Sequence, residues 1–212
     1  MKLKRLFTAI LSAALTLSLC AMPAMATEGA GTAGTALADG TPVWSKTTGS
    51  ITIHKFEYNP APGTIKQPGT GAEGENAPAT ATPLDGVTFD IYMVHDETWL
   101  KDYYSGQEAA SGQDFSKIDA GEYYSTNPAT GAITVNSGAT KVATVITETK
   151  GSDKGVAQKD DLALGLYLVV ETKAPDKVTT PAKPFLVSVP MTRIKDNDTT
   201  NKLTDWIYDV HV

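Results

Sequence analysis

Cysteine is nearly absent: Cys20 is the one thiol in 212 residues. It falls in a segment expected to be removed on export, so the mature chain has no disulfide available and must be stabilised in another way. Histidine is also scarce. His54, His95 and His211 stand apart in the chain, with no cysteine or second histidine at ligand spacing, so they read as surface or strand positions and no metal is expected. Positive charge is in deficit, 18 Lys and Arg against 24 Asp and Glu, for a net charge of -6. That balance argues against nucleic acid and anionic membrane surfaces as partners. Gly-x-Ser-x-Gly, a phosphate loop and a dinucleotide fingerprint are all missing, so neither enzymatic turnover nor a cofactor is expected. Asp196-Asn197-Asp198 opens like a calcium loop but lacks the central glycine and terminal glutamate, and reads as a solvated loop.

What is present begins with an address. Lys2, Lys4 and Arg5 precede an apolar run from Leu6 to Leu19, and Ala24-Met25-Ala26 fits a small-x-small cleavage site. Residues 1–26 are therefore expected to be a signal peptide, the run being too short to span a bilayer comfortably. Acylation at Cys20 would require a small residue where bulky Leu19 stands. Loss of the three signal cations takes the mature net charge from -6 to -9. No membrane contact is expected of the mature domain, which is long enough for one good core.

Residues 27–48, rich in Gly, Ala and Thr, read as a flexible leader, with order beginning near Gly49. From Ile51 to Glu57 the chain alternates, Ile51, Ile53, Lys55 and Glu57 sharing one face, which predicts a strand. Tyr58 to Pro83 is dense in Pro, Gly, Ala and Thr and predicts a long exposed loop. A turn at Leu84-Asp85-Gly86 leads to a second strand carrying Val87, Phe89, Ile91 and Met93 on one face. Glu97 to Tyr104 predicts a short helix with Trp99, Leu100 and Tyr103 on one side.

Short strands are expected at 131–135 and 143–146, and the charged stretch Lys150 to Asp161 reads as a loop. The strongest strand is Gly165 to Thr172, stopped by Ala174-Pro175. Phe185 to Val189 and Trp206 to Val212 complete an all-β set, for which an immunoglobulin-like β-sandwich is the natural architecture.

Two charges sit on faces that should be apolar. Lys55 follows Ile51 and Ile53 in strand parity, and Glu171 follows Tyr167 and Val169. An ammonium on a core face either snorkels to water from an edge or is held against a partner, and burying it unpaired is unfavourable by several kcal/mol. A buried amine beside a carboxyl can act as a nucleophile towards an amide, with the carboxyl shuttling protons. Glu171 is the obvious partner for Lys55.

Tyr167-Leu168-Val169-Val170-Glu171-Thr172-Lys173-Ala174-Pro175 resembles the E-box of Gram-positive pilins, with Tyr167, Glu171, Thr172, Ala174 and Pro175 at the motif positions. Gly49 to Lys55 and Pro83 to Phe89 resemble the opening strands of the same domains. Trp206-Ile207-Tyr208-Asp209-Val210-His211-Val212 resembles the first half of the pilin motif, Trp-x-x-x-Val-x-Val-Tyr-Pro-Lys, through Trp206, Val210 and Val212. With Pro184 to Thr192 these matches follow the family's order, so the sequence resembles the N-terminal domain of a sortase-assembled major pilin of the isopeptide-forming, SpaA/SpaH-like family.

The resemblance implies a CNA-B-like sandwich at 49–212, ending just before the motif lysine, which would fall three residues past Val212. It further implies a structural domain of a covalent cell-wall pilus, with other pilin subunits and a class C sortase as partners and host surface ligands as targets of adhesion. In some relatives a first-strand lysine is joined to an asparagine at the end of the last strand, assisted by the E-box glutamate. Lys55 and Glu171 match the first and third roles, and the acceptor would lie just past Val212. The rival expectation is a secreted adhesin or tip subunit presenting exposed aromatics, with Trp99, Tyr103, Tyr104, Tyr123 and Tyr124 as candidates. The parity shared by Trp206, Val210 and Val212 independently predicts that they pack inward.

Overall fold

A computed structural model describes residues 42–57, 81–105, 118–176, 178, 181–193 and 205–212. The expected signal peptide, most of the expected leader, residues 58–80 of the expected Pro/Gly-rich loop and Asp196-Asn197-Asp198 lie outside them, while the end of that loop is instead a short strand at Thr82–Pro83. The chain forms β1 (Thr48–His54), β2 (Phe56–Glu57), β3 (Thr82–Pro83) and β4 (Thr88–Asp96), then α1 (Glu97–Ser105) and the hairpin strands β5 (Tyr124–Thr126) and β6 (Ile133–Val135). It continues through β7 (Thr140–Ile146), β8 (Glu148–Lys150), β9 (Asp153–Ala163), β10 (Gly165–Lys173) and β11 (Phe185–Val189). β12 (Met191–Arg193), β13 (Asp205–Ile207) and β14 (Asp209–His211) complete it. Two four-stranded sheets, ordered β14-β1-β9-β8 and β11-β10-β4-β7, make the sandwich. The β1/β14 pair is parallel and the other ladders of these sheets are antiparallel.

The inter-sheet core follows the predicted parity. Ile51 and Ile53 of β1, Val210 of β14, Phe89 and Ile91 of β4, Tyr167 and Val169 of β10, and Val187 and Val189 of β11 are all buried in it. A second apolar cluster lies on the other face of β10, where Leu166, Leu168 and Val170 meet Leu186 and the partly buried Trp99, Tyr124, Ile133 and Val135. Helix α1 and the β5/β6 hairpin thus cover the outside of this sheet. A strand buried on both faces reads as a continuous apolar run, which is why Leu166 to Val170 does not alternate. The expected helical insertion is α1, anchored by Leu100, which is fully buried, and begun by the Asp96 carboxylate accepting from the Trp99 N–H.

Two further expectations change. The charged stretch read as a loop is β9, an 11-residue strand hydrogen-bonded between β1 and β8. Its period is broken by left-handed backbone at Gly155 and Asp161, and by a register shift opposite Gly49 and Ile51. Two-residue alternation therefore fails although the backbone is laddered. The stretch read as a leader also contributes to the fold. Thr48 opens β1, and Trp44 packs on the core with its ring edge-on to Trp206 at 5.7 Å.

Thr147 fastens the turn before β4. Its hydroxyl donates to the Leu84 carbonyl at 2.8 Å and accepts from the Val87 N–H at 3.0 Å, all of it buried. Thr147→Val keeps the shape and strands both backbone groups, so a loss of about 2–4 kcal/mol is expected in urea unfolding. A loss below about 0.5 kcal/mol would mean that water reaches these groups.

Candidate functional site

Lys55 is positioned by backbone before its side chain is considered. It stands between β1 and β2, where its N–H donates to the Gly155 carbonyl at 2.8 Å and its carbonyl accepts from the Leu84 N–H at 2.9 Å. Gly155 makes this possible. A Cβ there would lie 2.5 Å from the Lys55 carbonyl oxygen and 2.7 Å from the Leu84 nitrogen, and the residue's φ is +68°, a region glycine enters without steric penalty. Continuing the parity of Ile51 and Ile53, the Lys55 side chain enters the sandwich and is only 15% exposed.

Glu171 meets it from the end of β10. Its side chain is 1% exposed, and Oε2 accepts from Lys55 Nζ at 2.8 Å and from the Ala182 N–H at 2.8 Å. The other oxygen, Oε1, is buried with no hydrogen-bond partner among the described residues. The pair therefore joins the first strand of one sheet to β10 of the other, with one carboxyl oxygen still offering an acceptor position. Snorkelling to water, the blander reading of Lys55, does not describe this geometry.

A second lysine–carboxylate pair shows what an ordinary contact looks like here. Lys141 Nζ reaches Asp90 Oδ2 at 2.8 Å, with the lysine side chain 46% exposed. Burial pushes the Asp90 carboxyl up, but hydrogen bonds from Lys141 and Thr144 outweigh it and hold the group below the usual carboxylate range. In this pair the lysine lies nearly half in solvent over a largely buried carboxylate, whereas both Lys55 and Glu171 are enclosed.

The other motif residues serve the scaffold. Tyr167 is fully buried and its hydroxyl donates to the Ala163 carbonyl. Thr172 is exposed, while Ala174 and Pro175 are half-buried where β10 ends. Val210 is buried, and Trp206 and Val212 pack partly buried against the same core. The expected single strand from Trp206 is broken at Tyr208, however. β13 pairs with β12 and β14 with β1, and the Tyr208 hydroxyl at the bend accepts from the Ser45 N–H at 2.8 Å.

Four of the five candidate adhesive aromatics pack against neighbouring rings. His95 stacks on Trp99 at 4.0 Å, and Trp99 on Tyr103 at 5.4 Å. Tyr123 meets His95 edge-on at 5.5 Å, while Tyr104 lies edge-on to Trp206 at 4.9 Å. All five candidates, Tyr124 included, are half-buried rather than exposed. Burial pushes the Tyr104 phenol up to about 12, and its oxygen contacts Ser188 Oγ at 2.8 Å. The three histidines are not isolated either: His54 and His211 touch.

Sequence patterning missed Gly155, the Ala182 N–H, Trp44 and the Tyr208 bend. A lone tryptophan in a stretch of small residues was the available signal for Trp44. Nothing local marks Ala182 as a donor to a carboxylate 11 residues earlier. Among the described residues no helix is long and apolar enough to cross a membrane, and no group of three or more His, Cys, Asp or Glu converges as a metal set.

Comparison with known proteins agrees with this architecture. The chain is 31% identical over 165 residues to the fimbrial subunit type 1 of Actinomyces viscosus, covering 77% of this chain and 25% of that protein. It is 30% identical over 176 residues to the fimbrial subunit type 2 of Actinomyces naeslundii, covering 77% and 28%. The chain thus spans about a quarter of the length of these relatives. Among solved structures, the fimbrial protein FimP from Actinomyces oris matches with TM-score 0.50 and 26% identity, over 82% of this chain and 30% of that one. A family model for the Gram-positive pilin subunit D1, N-terminal domain, matches residues 46–212, and the chain belongs to that family.

Proposed function

We propose that this domain is a structural, non-catalytic subunit domain of a covalently polymerised pilus on the Gram-positive cell surface. Export by the signal at 1–26 delivers it, other pilin subunits are its partners in the fibre, and a class C sortase joins them. The enclosed Lys55–Glu171 contact at 2.8 Å carries the mechanical part of this reading, because it ties the two sheets together at a position suited to cross-linking.

β14 runs parallel to β1, with Thr52 opposite His211. The Val212 N–H donates to the Thr52 carbonyl at 2.9 Å, and the His54 N–H to the Val212 carbonyl at 2.7 Å. Residues continuing β14 in that register would run beside Lys55. An asparagine there would bring its carboxamide to Nζ. Lys55 Nζ attacks the Asn Cγ, a Cγ–Nζ amide forms, the Cγ–Nδ2 bond breaks and ammonia leaves. Glu171 takes a proton from Nζ through the Oε2 contact and returns one to the departing nitrogen, while Oε1 offers an acceptor for the carboxamide N–H. The cross-link would restrain distant strands much as a disulfide does.

The test is the intact mass of the full-length protein purified from its own cell wall fraction. A mass short by one ammonia, with a Lys55-containing branched peptide after proteolysis, is expected; Glu171→Ala should restore the full mass. Full mass in the unaltered protein removes the cross-link from the proposal. Pilus membership is read separately, as a ladder of high-mass polymers that disappears when the sortase gene is deleted. An adhesin reading is disfavoured by the half-buried state of all five candidate aromatics.

A further inference from the structure

The structure brings together two histidines that the sequence holds 157 positions apart. His54 Nε2 and His211 Nδ1 are 2.9 Å from one another, and the rings lie 21° from parallel with centroids at 5.1 Å. One sits at the end of β1, the other on β14, and both are half-buried on the face opposite the inter-sheet core. A neutral imidazole has one N–H and one lone pair, so at this distance one ring donates to the other. A shift of the donor ring to its other tautomer leaves a lone pair on each ring directed into the gap between them.

From this geometry we propose that His54 and His211 form a two-histidine site for a borderline divalent metal, zinc or nickel, which clips β14 to β1. Imidazole nitrogens bind zinc at about 2.0–2.1 Å, so a tetrahedral pair stands roughly 3.3 Å apart. The observed separation must open by a few tenths of an ångström, and both rings must turn so that their lone pairs converge on the metal rather than point at one another. β14 can supply that movement, because it is an edge strand whose one ladder partner is β1, through three register pairs. Two protein ligands leave the remaining positions to water. Asp209, two residues before His211, is already engaged as acceptor to Ser50 Oγ at 3.0 Å. Hard cations such as calcium and magnesium prefer oxygen donors and do not suit this pair. The net charge of -6 favours accumulation of cations near the surface. A metal here would fasten β14 to the end of β1, one residue before Lys55, and it needs no cross-link at Lys55.

The experiment uses the protein without a histidine tag, stripped with chelator, in thermal unfolding with zinc chloride or nickel chloride. A rise in Tm on the order of 5 °C is expected at metal well above Kd, with one metal per chain by calorimetry. Calcium and magnesium chloride should give none. His54→Asn and His211→Asn should each abolish the rise, and His95→Asn should keep it. No rise with zinc or nickel, or a rise that survives His211→Asn, overturns the proposal. Should either variant fail to fold, nickel titration of the unaltered protein by NMR decides: ring signals of His54 and His211 broadening before those of His95 supports the site, and equal broadening of all three rejects it.

Discussion

Lys55→Met is expected to destabilise the 212-residue chain by about 3–5 kcal/mol, because it leaves the Glu171 carboxylate enclosed without its cation. The magnitude comes from removing one partner of a buried pair and is not a measure of what the pair adds. Replacing both members, Lys55→Met with Glu171→Leu, is expected to recover most of the loss, since well-packed apolar side chains stabilise a buried position as well as a buried ion pair does. Lys141→Met is the contrast. Its partner Asp90 is held partly by Thr144 and Tyr92 and the lysine is nearly half exposed, so the loss should be about 1 kcal/mol or less. Urea midpoints at constant m for the four proteins check the ordering. If Lys55→Met and Lys141→Met behave alike, the Lys55 site is open to water and the cross-linking chemistry proposed for it loses its setting.

Gly155→Ala should be severely damaging for the addition of a single methyl group. The positive φ alone is unfavourable by about 1–2 kcal/mol for a residue with a Cβ. Here the Cβ also falls 2.5 Å and 2.7 Å from backbone atoms of Lys55 and Leu84, which are themselves held by ladder-like hydrogen bonds and cannot swing away as a flexible side chain would. A total loss above about 4 kcal/mol is expected, from strain and overpacking together. Gly151→Ala separates the two contributions. Its φ is +60° but nothing lies within 4 Å of the new Cβ, so only the conformational part, about 1 kcal/mol, should appear. Thermal unfolding of both variants is the measurement. Equal, small effects would mean that the Lys55 backbone can retreat from Gly155, and that the lysine is less firmly placed than its hydrogen bonds indicate.

Much of the sandwich was legible because its strands obey a local rule. Ile51, Ile53 and Lys55 share a parity that holds in space, as do Tyr167, Val169 and Glu171, and extending each parity leads to the two side chains that meet at 2.8 Å. Periodicity reports which face a residue occupies without knowing what lies opposite. The helix at α1 was legible for the same reason, its apolar side returning every third or fourth position.

β9 was not legible, because its identity as a strand rests on its neighbours. Bulges and left-handed residues at Gly155 and Asp161 break the alternation, and only the flanking ladders of β1 and β8 make its charged backbone extended. Trp44 was hidden in a stretch whose composition is that of a leader, and packs half-buried on the core because Trp206 stands where its ring can be received. The five aromatic residues read as exposed proved half-buried, because α1 and the β5/β6 hairpin fold them against the outer face of the sheet or against neighbouring rings.

The sequence by itself determined the class of fold, the inward-facing pattern of most strands and the two charges that do not belong on apolar faces. Only the tertiary structure decided what those charges and the histidines face. Strand periodicity is a property of consecutive residues, whereas the Lys55–Glu171 contact spans 116 positions and the His54–His211 contact 157. Register, parallel or antiparallel pairing and the bend at Tyr208 set those distances, and each depends on cross-strand hydrogen bonds that one strand's pattern does not encode.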